Sequence, residues 1–531
     1  PTDAPTIQDG LNTASSGDTV LIAPGTYNES LVWPNVNDIK LFSEGDSTNT
    51  TLIAELNSRN VCFPEDFTCG RGTAISGFTF SGNIDIEAYM YGWGIFISNN
   101  SSPTISNIHF TNYNFIAEGE GRFGGVIFMA NRSNPIIKNC KFSNIHINRV
   151  SQLRGIALYI VEGSNPIIEN ISIENCTMKV NSRLYGGAIH IDDSSSPTFS
   201  AVQITNLSMT CQSWNFGACY GTIYIHGSSN PKFNQLEISN ILIEASSLLN
   251  GGGIYIGDAS APIFKNTSIY DFNLYSENSF GGGAVSIIGG SNGVVFDSLS
   301  IKNIHGNSND HISGLGLLID DSRPKLTNLM ISDGSALSQN SVYGGGIYLG
   351  NNASPEITNF IICNNTIAEI DGGIFGCAGA GVALNGSSEA IFINGRISDN
   401  HMIGSSMNNQ GSGIYCNISG TPNFINCTIV NNTCDGIITG TGVFSNFTSH
   451  PNFTNCIIRN DDDGNELETD GDAEISVNYS NVRGGALGAG NINSNPMFMG
   501  DCYILNPLSS SFGSGTLTDA PRFDIYGFER P

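Results

Sequence analysis

From Pro103 to Pro451 the chain alternates apolar and polar residues in short runs of period two, and these runs recur every 29 to 35 residues, most often every 31. Each of twelve copies reads as a Gly-rich stretch, an apolar-aromatic-apolar triplet, a polar turn ending in Pro, a second apolar run and then Asn. The anchors are Pro103, Pro135, Pro166, Pro197, Pro231, Pro262, Pro324, Pro355, Pro422 and Pro451, with Gly293 and Ala390 in the two remaining places. Alternation at period two marks strands with two different faces, and no helical period runs through the repeats. One small unit per repeat, held in register, predicts an all-β chain: a single parallel β-solenoid of stacked coils. At about 4.8 Å per coil the copies would stack to about 60 Å. A propeller would need four strands in each repeat of about 40 to 45 residues, and a sandwich would not keep one register for so long.

The residues eight and six places before each anchor are almost always apolar, as in Ile95 and Ile97, Ile189 and Ile191, or Ile254 and Ile256, and face inward. The residue between them alternates to the opposite face and runs Phe96, Phe128, Tyr159, His190, Tyr224, Tyr255, Ser286, Leu317, Tyr348, Ala383, Tyr415, Phe444. This row predicts outward rings, with Tyr159, Tyr224, Tyr255, Tyr348 and Tyr415 as candidates to stack on sugars or on the flank of another rod. Stacking of the rings on one another, without any ligand, accounts for the row equally well. After the anchor, Asn107, Asn139, Asn170, Asn266, Asn328, Asn359, Asn394, Asn426 and Asn455 fall at plus four, and a second polar row at plus nine includes Asn175, Asn206, Asp333, Asn364, Asp399, Asn431 and Asn460. Stacked Asn side chains can hydrogen-bond along a column of identical turns.

The ends depart from the repeat, as capping units do. Residues 1–90 read as an N-terminal cap and first coils, with a short amphipathic helix and a turn over residues 5–34; residues 91–460 are the regular coils; residues 461–478 are an acidic insertion and strand; residues 479–531 are a capping tail. A bare sheet edge at the start would template aggregation, which the helix prevents.

Composition narrows the setting. Only 13% of residues are charged, so uncharged polar groups solvate most of the surface, and a net charge of −26 disfavours nucleic acid and anionic membranes as partners. No segment has the length of a membrane span, and the first residues lack the basic start and apolar core of an export signal. Pro1 reads as a mature or trimmed start. Thirteen cysteines are few for a disulfide scaffold of this length. Cys62 with Cys69, and Cys211 with Cys219, bracket short loops that a bridge would close. Cys427 and Cys456 occupy one slot in adjacent coils, with α-carbons about 5 Å apart and in disulfide range.

Carboxylates on one face offer a catalytic reading. Asp193, Asp258 and Asp320 fall four places before the anchor in alternate coils, about 10 Å apart, near the upper end of the separation in inverting glycoside hydrolysis. Asp192 and His226 share the preceding place in neighbouring coils, where imidazole and carboxylate can pair as general acid or base. Turn chemistry alone also places aspartates in Asp-Asp-Ser and Gly-Asp-Ala. In the acidic run, Asp461 and Asp463 alternate like ligands of a Ca²⁺ loop, with Asp470 and Asp472 as further ligands. Glu466 stands where an EF-hand needs Gly, so that motif fails, and a solvated insertion is the plainer reading. No cofactor is required, and Ca²⁺ is the ion this run admits. Asn-x-Ser/Thr sequons are frequent, and Asn131, Asn352 and Asn446 lie in outward turns where glycans can be carried.

The opening, PTIQDGLNTASSGDTVLIAPGTYNE, and the phrase ISGFTFSG from Ile75 to Gly82 resemble the start of secreted right-handed parallel β-helix proteins of the pectate-lyase-like superfamily. The tail from Tyr479, YSNVRGGALGAGNINSNPMF with the later APRFDIYGFERP, resembles bacterial β-helix repeat proteins of the choice-of-anchor and polymorphic outer-membrane type. The resemblance implies a right-handed coil and a secreted or cell-surface location. Its members divide into polysaccharide-degrading enzymes, adhesins and structural proteins, so the fold does not choose among these. The Gly-His-Gly that polygalacturonase-like members would carry is absent, and Arg323-Pro324-Lys325 matches Arg-x-Lys only as an ordinary repeat turn. The resulting expectation is an extracellular structural or adhesive element, partnered by itself in a fibre or by extracellular polysaccharide. The alternatives are a polysaccharide lyase or glycoside hydrolase, and a glycan-binding module without catalysis.

Overall fold

The computed structural model describes residues 4–84, 90–116, 122–212, 217–370, 376–404, 408–436, 438–460 and 465–530. The chain divides into an N-terminal unit, Pro1–Thr267, and a C-terminal unit, Ser268–Pro531. Each is a stack of parallel coils with one broad and one narrow sheet.

In the N-terminal unit a helix, Ile7–Thr13, precedes the coils. Thr6 caps it by accepting the N–H of Asp9, while the Glu29 carboxylate takes the N–H groups of Ile7 and Gln8 at 3.1 and 3.0 Å. Its buried face, Ile7 and Leu11, packs against the strands Thr19–Ile22 and Leu31–Val32. Beyond it the broad sheet is built from long strands such as Ile136–Arg154, Ile167–Tyr185, Thr198–Cys211 and Lys232–Ala245, paired parallel with Phe142 beside Ile173, Ile173 beside Ile204 and Ile204 beside Ile238. These strands bend where Asn takes a left-handed backbone, as at Asn139, Asn144, Asn170 and Asn175 with φ of 52° to 54°. Asn tolerates that conformation because its short amide bonds locally, which explains why the corner rows are Asn. The amides form ladders: Nδ2 of Asn170 donates to Asn139 at 2.8 Å, and that of Asn139 to Asn107 at 3.2 Å.

The narrow sheet holds the triplets, among them Ile127–Met129, Leu158–Ile160, Ile189–Ile191, Ile223–Ile225 and Ile254–Ile256. A left-handed glycine precedes each. At Gly186, φ is 69° and a Cβ would sit 2.2 Å from the carbonyl oxygen of Ile189, so the Gly-rich stretch is a steric requirement. Between the sheets, like residues stack on like, as in Phe199 and Phe233 with ring centroids 4.3 Å apart. Each such ring contributes roughly 1.5–3 kcal/mol by burial.

The C-terminal unit repeats this plan, with ring columns such as Phe392, Phe424 and Phe453 at 4.7 and 4.9 Å. Here the register differs from the sequence expectation at two places. The turn before Pro324 is one residue shorter than its neighbours, so Leu318, not Leu317, pairs with Ser286 and Tyr348, and Leu317 faces inward. The same shift moves Asp320 out of the predicted aspartate row and places Asp321 in the left-handed turn position. Asn460 also leaves the outer row. It joins a buried ladder in which Nδ2 of Asn365 donates to Asn400 at 2.9 Å, Asn400 to Asn432 at 2.9 Å, and Asn432 to Asn460 at 3.0 Å. The ladder stops at Glu466, whose other partner is Nε of Arg483 at 2.8 Å.

After Arg483 regular structure thins to one antiparallel pair, Phe498–Met499 with Ile504–Leu505. This tail lies on the corner row: Asn455 receives the N–H of Thr516 and donates to its carbonyl, and Asn394 donates to the carbonyl of Phe523. Large apolar side chains remain exposed on it, Leu487 and Leu517 most of all.

Candidate functional site

The row between the inward residues of the narrow sheet alternates as expected, but it is not on the surface. In the N-terminal unit Phe96, Phe128, Tyr159, His190, Tyr224 and Tyr255 are in register, and a second row from the strand just upstream roofs them. That roof runs Tyr91, Gly124, Arg154, Tyr185, Tyr220, Asn250. Tyr91 stacks on Phe128 at 5.2 Å, the Arg154 guanidinium lies 5.9 Å over Tyr159, and Tyr220 meets Tyr255 edge-on at 5.2 Å. Tyr224 and Tyr255 stack on each other at 5.1 Å and 3°, and only 6% and 7% of their surfaces are exposed. In the C-terminal unit Tyr415 is buried against Phe444 and Ala383, with Tyr343 and Tyr348 packed around them. The expectation of open ring faces at Tyr159, Tyr224, Tyr255 and Tyr415 is therefore corrected; only Tyr348 is half-buried. The rings have spent their faces on one another, and burial pushes the Tyr159 phenol up to about 12.

Where the triplets end, three of the four predicted catalytic side chains converge. Asp192 follows Ile191 and His226 follows Ile225, one coil apart in a column held by the bond from the N–H of His226 to the carbonyl of Ile191 at 3.0 Å. Nδ1 of His226 sits 3.5 Å from Oδ1 of Asp192 and 3.8 Å from Oδ2 of Asp258, between two carboxylates. Asp193 occupies the left-handed turn position beside them, and its N–H donates to Oδ1 of Asp192 at 2.8 Å. Position 257 in this column is Gly, and a Cβ there would approach Cδ2 of His226 to 3.3 Å.

A fourth member is His190, which the sequence places only in the ring row. It is 1% exposed, its Nδ1 meets the Tyr185 carbonyl at 3.0 Å, and its Nε2 lies 3.6 Å from Oδ2 of Asp192, just beyond hydrogen-bond reach and with no other partner. Burial holds the His190 ring below its usual range, while hydrogen bonding to Asp192 raises His226. Burial also works against ionisation of Asp192, but the two imidazoles overcome it and hold that carboxyl well below the usual carboxylate range. The Asp192 carboxylate thus lies between a buried imidazole and a half-exposed one, an arrangement that can take or give a proton at His226.

The remaining predicted sites lie elsewhere. Cys211 and Cys219 are joined by a disulfide with α-carbons 6.3 Å apart. Cys62 and Cys69 carry separate thiols: Cys62 lies on the narrow-sheet strand Val61–Cys62, and Cys69 is buried in the following turn, its N–H held by Ser101. Cys427 and Cys456 are also free thiols, buried in adjacent coils, each donating to carbonyls of its own and the previous coil. Asp461 and Asp463 lie outside the described residues. Asp470 turns its Oδ1 to the N–H of Gly471 at 2.8 Å, Asp472 is exposed, and no group of three acidic, His or Cys ligands that could hold a metal occurs among the described residues. Asn131 and Asn352 are at exposed turn tips, whereas Asn446 is half-buried with Oδ1 on the N–H of Phe447.

The chain matches the right handed beta helix region family over residues 68–219 and 316–503, more than half of its length, and it belongs to that family. The coils are accordingly those of a right-handed parallel β-helix. Among solved structures it is similar to the Azotobacter vinelandii mannuronan C-5 epimerase AlgE6 A-module, with 11% identity and a TM-score of 0.24 over 88% of this chain and 93% of that one. At that level the likeness carries no argument about activity. No curated protein sequence matches the chain.

Proposed function

We propose that this β-helix is an extracellular structural or adhesive element whose partners are other copies of itself or extracellular polysaccharide. The observation that carries this reading is the self-satisfaction of its repeated rows. Rings that would serve a ligand are buried under a roof, and corner amides are bonded coil to coil, so the repeat supports a stiff stack before it supports chemistry. A sparsely charged, acidic surface on such a stack suits lateral contact through polar groups. Electron microscopy of the native material tests it: polymers or surface layers are expected, and uniformly single particles that retain no polysaccharide would overturn it.

One observation favours a second reading, polysaccharide cleavage at Asp192, His226 and Asp258, namely the placement of one imidazole nitrogen between two carboxylates. Under that reading Asp192→Asn abolishes cleavage across a polysaccharide panel. Under the structural reading neither Asp192→Asn nor Asp193→Asn changes assembly.

A further inference from the structure

The tail and the corner face of the C-terminal unit enclose a cavity of about 460 Å³, within the range of roughly 300–1,000 Å³ typical of small-molecule sites. Two guanidinium groups line it. Arg396 rises from the strand Ile391–Ser398 beside Cys363 and donates through Nη1 to the carbonyl of Asp501 at 3.2 Å and the hydroxyl of Tyr526 at 3.4 Å, with its guanidinium carbon 5.5 Å from the centre of the Tyr503 ring. Arg530 donates through Nη2 to Oδ1 of Asn394. In both, Nε is buried and has no acceptor.

Among the described residues neither cation has a carboxylate within ion-pair distance, although acidic residues outnumber basic ones 47 to 21. The nearby acids are engaged. Asp399 accepts from Tyr503 and Asn431, Glu529 pairs with Arg522, and Oδ1 of Asp524 is held by the N–H groups of Tyr526 and Phe528. Asp524 acts on Arg530 only through its longer-range field. Asp524 and Glu529 line the cavity as well, yet both half-buried guanidiniums keep a buried Nε–H with no acceptor, which an entering anion would satisfy. The rest of the wall includes Tyr479, Phe512, Tyr526 and Phe528, which give a ring a surface to stack on.

We infer that this cavity binds a small molecule carrying a carboxylate on a ring, the carboxylate meeting Arg396 and Arg530 and the ring lying against the aromatic wall of the tail. The site is separate from the Asp192 cluster and independent of the role proposed above.

Calorimetry on the full chain with benzoate, benzamide and inorganic sulfate tests it. Benzoate is expected to bind with a Kd of about 1 mM, as suits so small a ligand, and benzamide at least about tenfold more weakly because it lacks the charge. Sulfate binding as tightly as benzoate would overturn the ring, and benzamide binding as tightly would overturn the carboxylate. Arg396→Lys keeps the charge but loses the planar fork, and is expected to weaken benzoate about tenfold. If that variant melts lower because the tail loosens, Arg530→Gln decides instead. Benzoate binding equally to the parent and to Arg530→Gln, or no benzoate binding at all, sinks the inference.

Discussion

Glu466 receives both amide groups that Asn460 offers: Oε1 accepts the backbone N–H at 2.7 Å and Oε2 accepts Nδ2 at 2.9 Å. Each Asn of the buried ladder makes the same pair of bonds to the next, so the carboxylate ends the series in the place of one more Asn. Arg483 neutralises the charge that an amide would not have.

Removing this terminator takes the acceptor from two buried donors, the N–H and Nδ2 of Asn460, and takes the carboxylate from beside Arg483. Glu466→Ala is expected to destabilise the C-terminal coils by about 2–4 kcal/mol. Urea unfolding followed by hydrogen exchange at residues 430–460 measures it, and protection unchanged there would show that the ladder does not need its end.

The pair His226 and Asp192 predicts a pH dependence. His226 is raised in the folded state, so its contribution to stability is full below the unfolded pKa of about 6.5 and is lost as pH rises through the folded value. Asp192→Asn removes the cause. The melting temperature of the variant should fall furthest below the parent under acidic conditions down to about pH 5, with the gap narrowing as pH rises past 7. In NMR titration the His226 ring should return toward about 6.5.

His190 acts in the opposite sense. Burial lowers its pKa, so the unfolded chain takes up a proton first and stability declines as pH falls below about 6.5. His190→Phe should flatten that part of the curve.

Tyr255→Ala removes a ring stacked on Tyr224 and roofed by Tyr220. The expected result is a loss of about 3–5 kcal/mol, as for other buried rings, seen in chemical unfolding of the N-terminal unit. Weakened retention on polysaccharide with stability intact would instead restore the ring row as a binding surface.

Thiol labelling under native conditions should reach Cys502, which is exposed, well before Cys140 or Cys176, whose thiols burial pushes up to about 12. Mass spectrometry after brief alkylation reads the order. Rapid labelling of Cys140 would mean that the coil around it opens.

The coil, its register and the Asn corners were legible because alternation and left-handed turn chemistry are local properties, visible in Ile189, Ile191 and Asn170 alone. The meeting of Asp192 and His226 was legible too, since equal places in neighbouring coils must meet, whereas Asp258 joins them from the next place along, after Gly257. Burial of the ring row was not, because it depends on a second row seven or fewer residues upstream. A signal for that roof exists in the repeated Tyr-Gly of Tyr91, Tyr185, Tyr220 and Tyr343, each just before the left-handed glycine. Asp320 and Leu317 were misplaced by counting from a proline across a turn of variable length. Asn460 and Glu466 were hidden because the last coil stays in step with its neighbour as far as Arg459, the partner of Val430, and then loses one residue at the corner, so that Asn460 meets Asn432.

The buried ladder also gives the C-terminal coils a direction. Every side-chain amide donates toward the later coil, so a coil duplicated within the series inherits an acceptor ahead of it and a donor behind. A coil appended after Glu466 would meet a carboxylate that cannot donate onward. Repeats of this kind can therefore multiply from within, and length in such a lineage should vary between the ends while the terminating carboxylate and its arginine travel unchanged with the last coil.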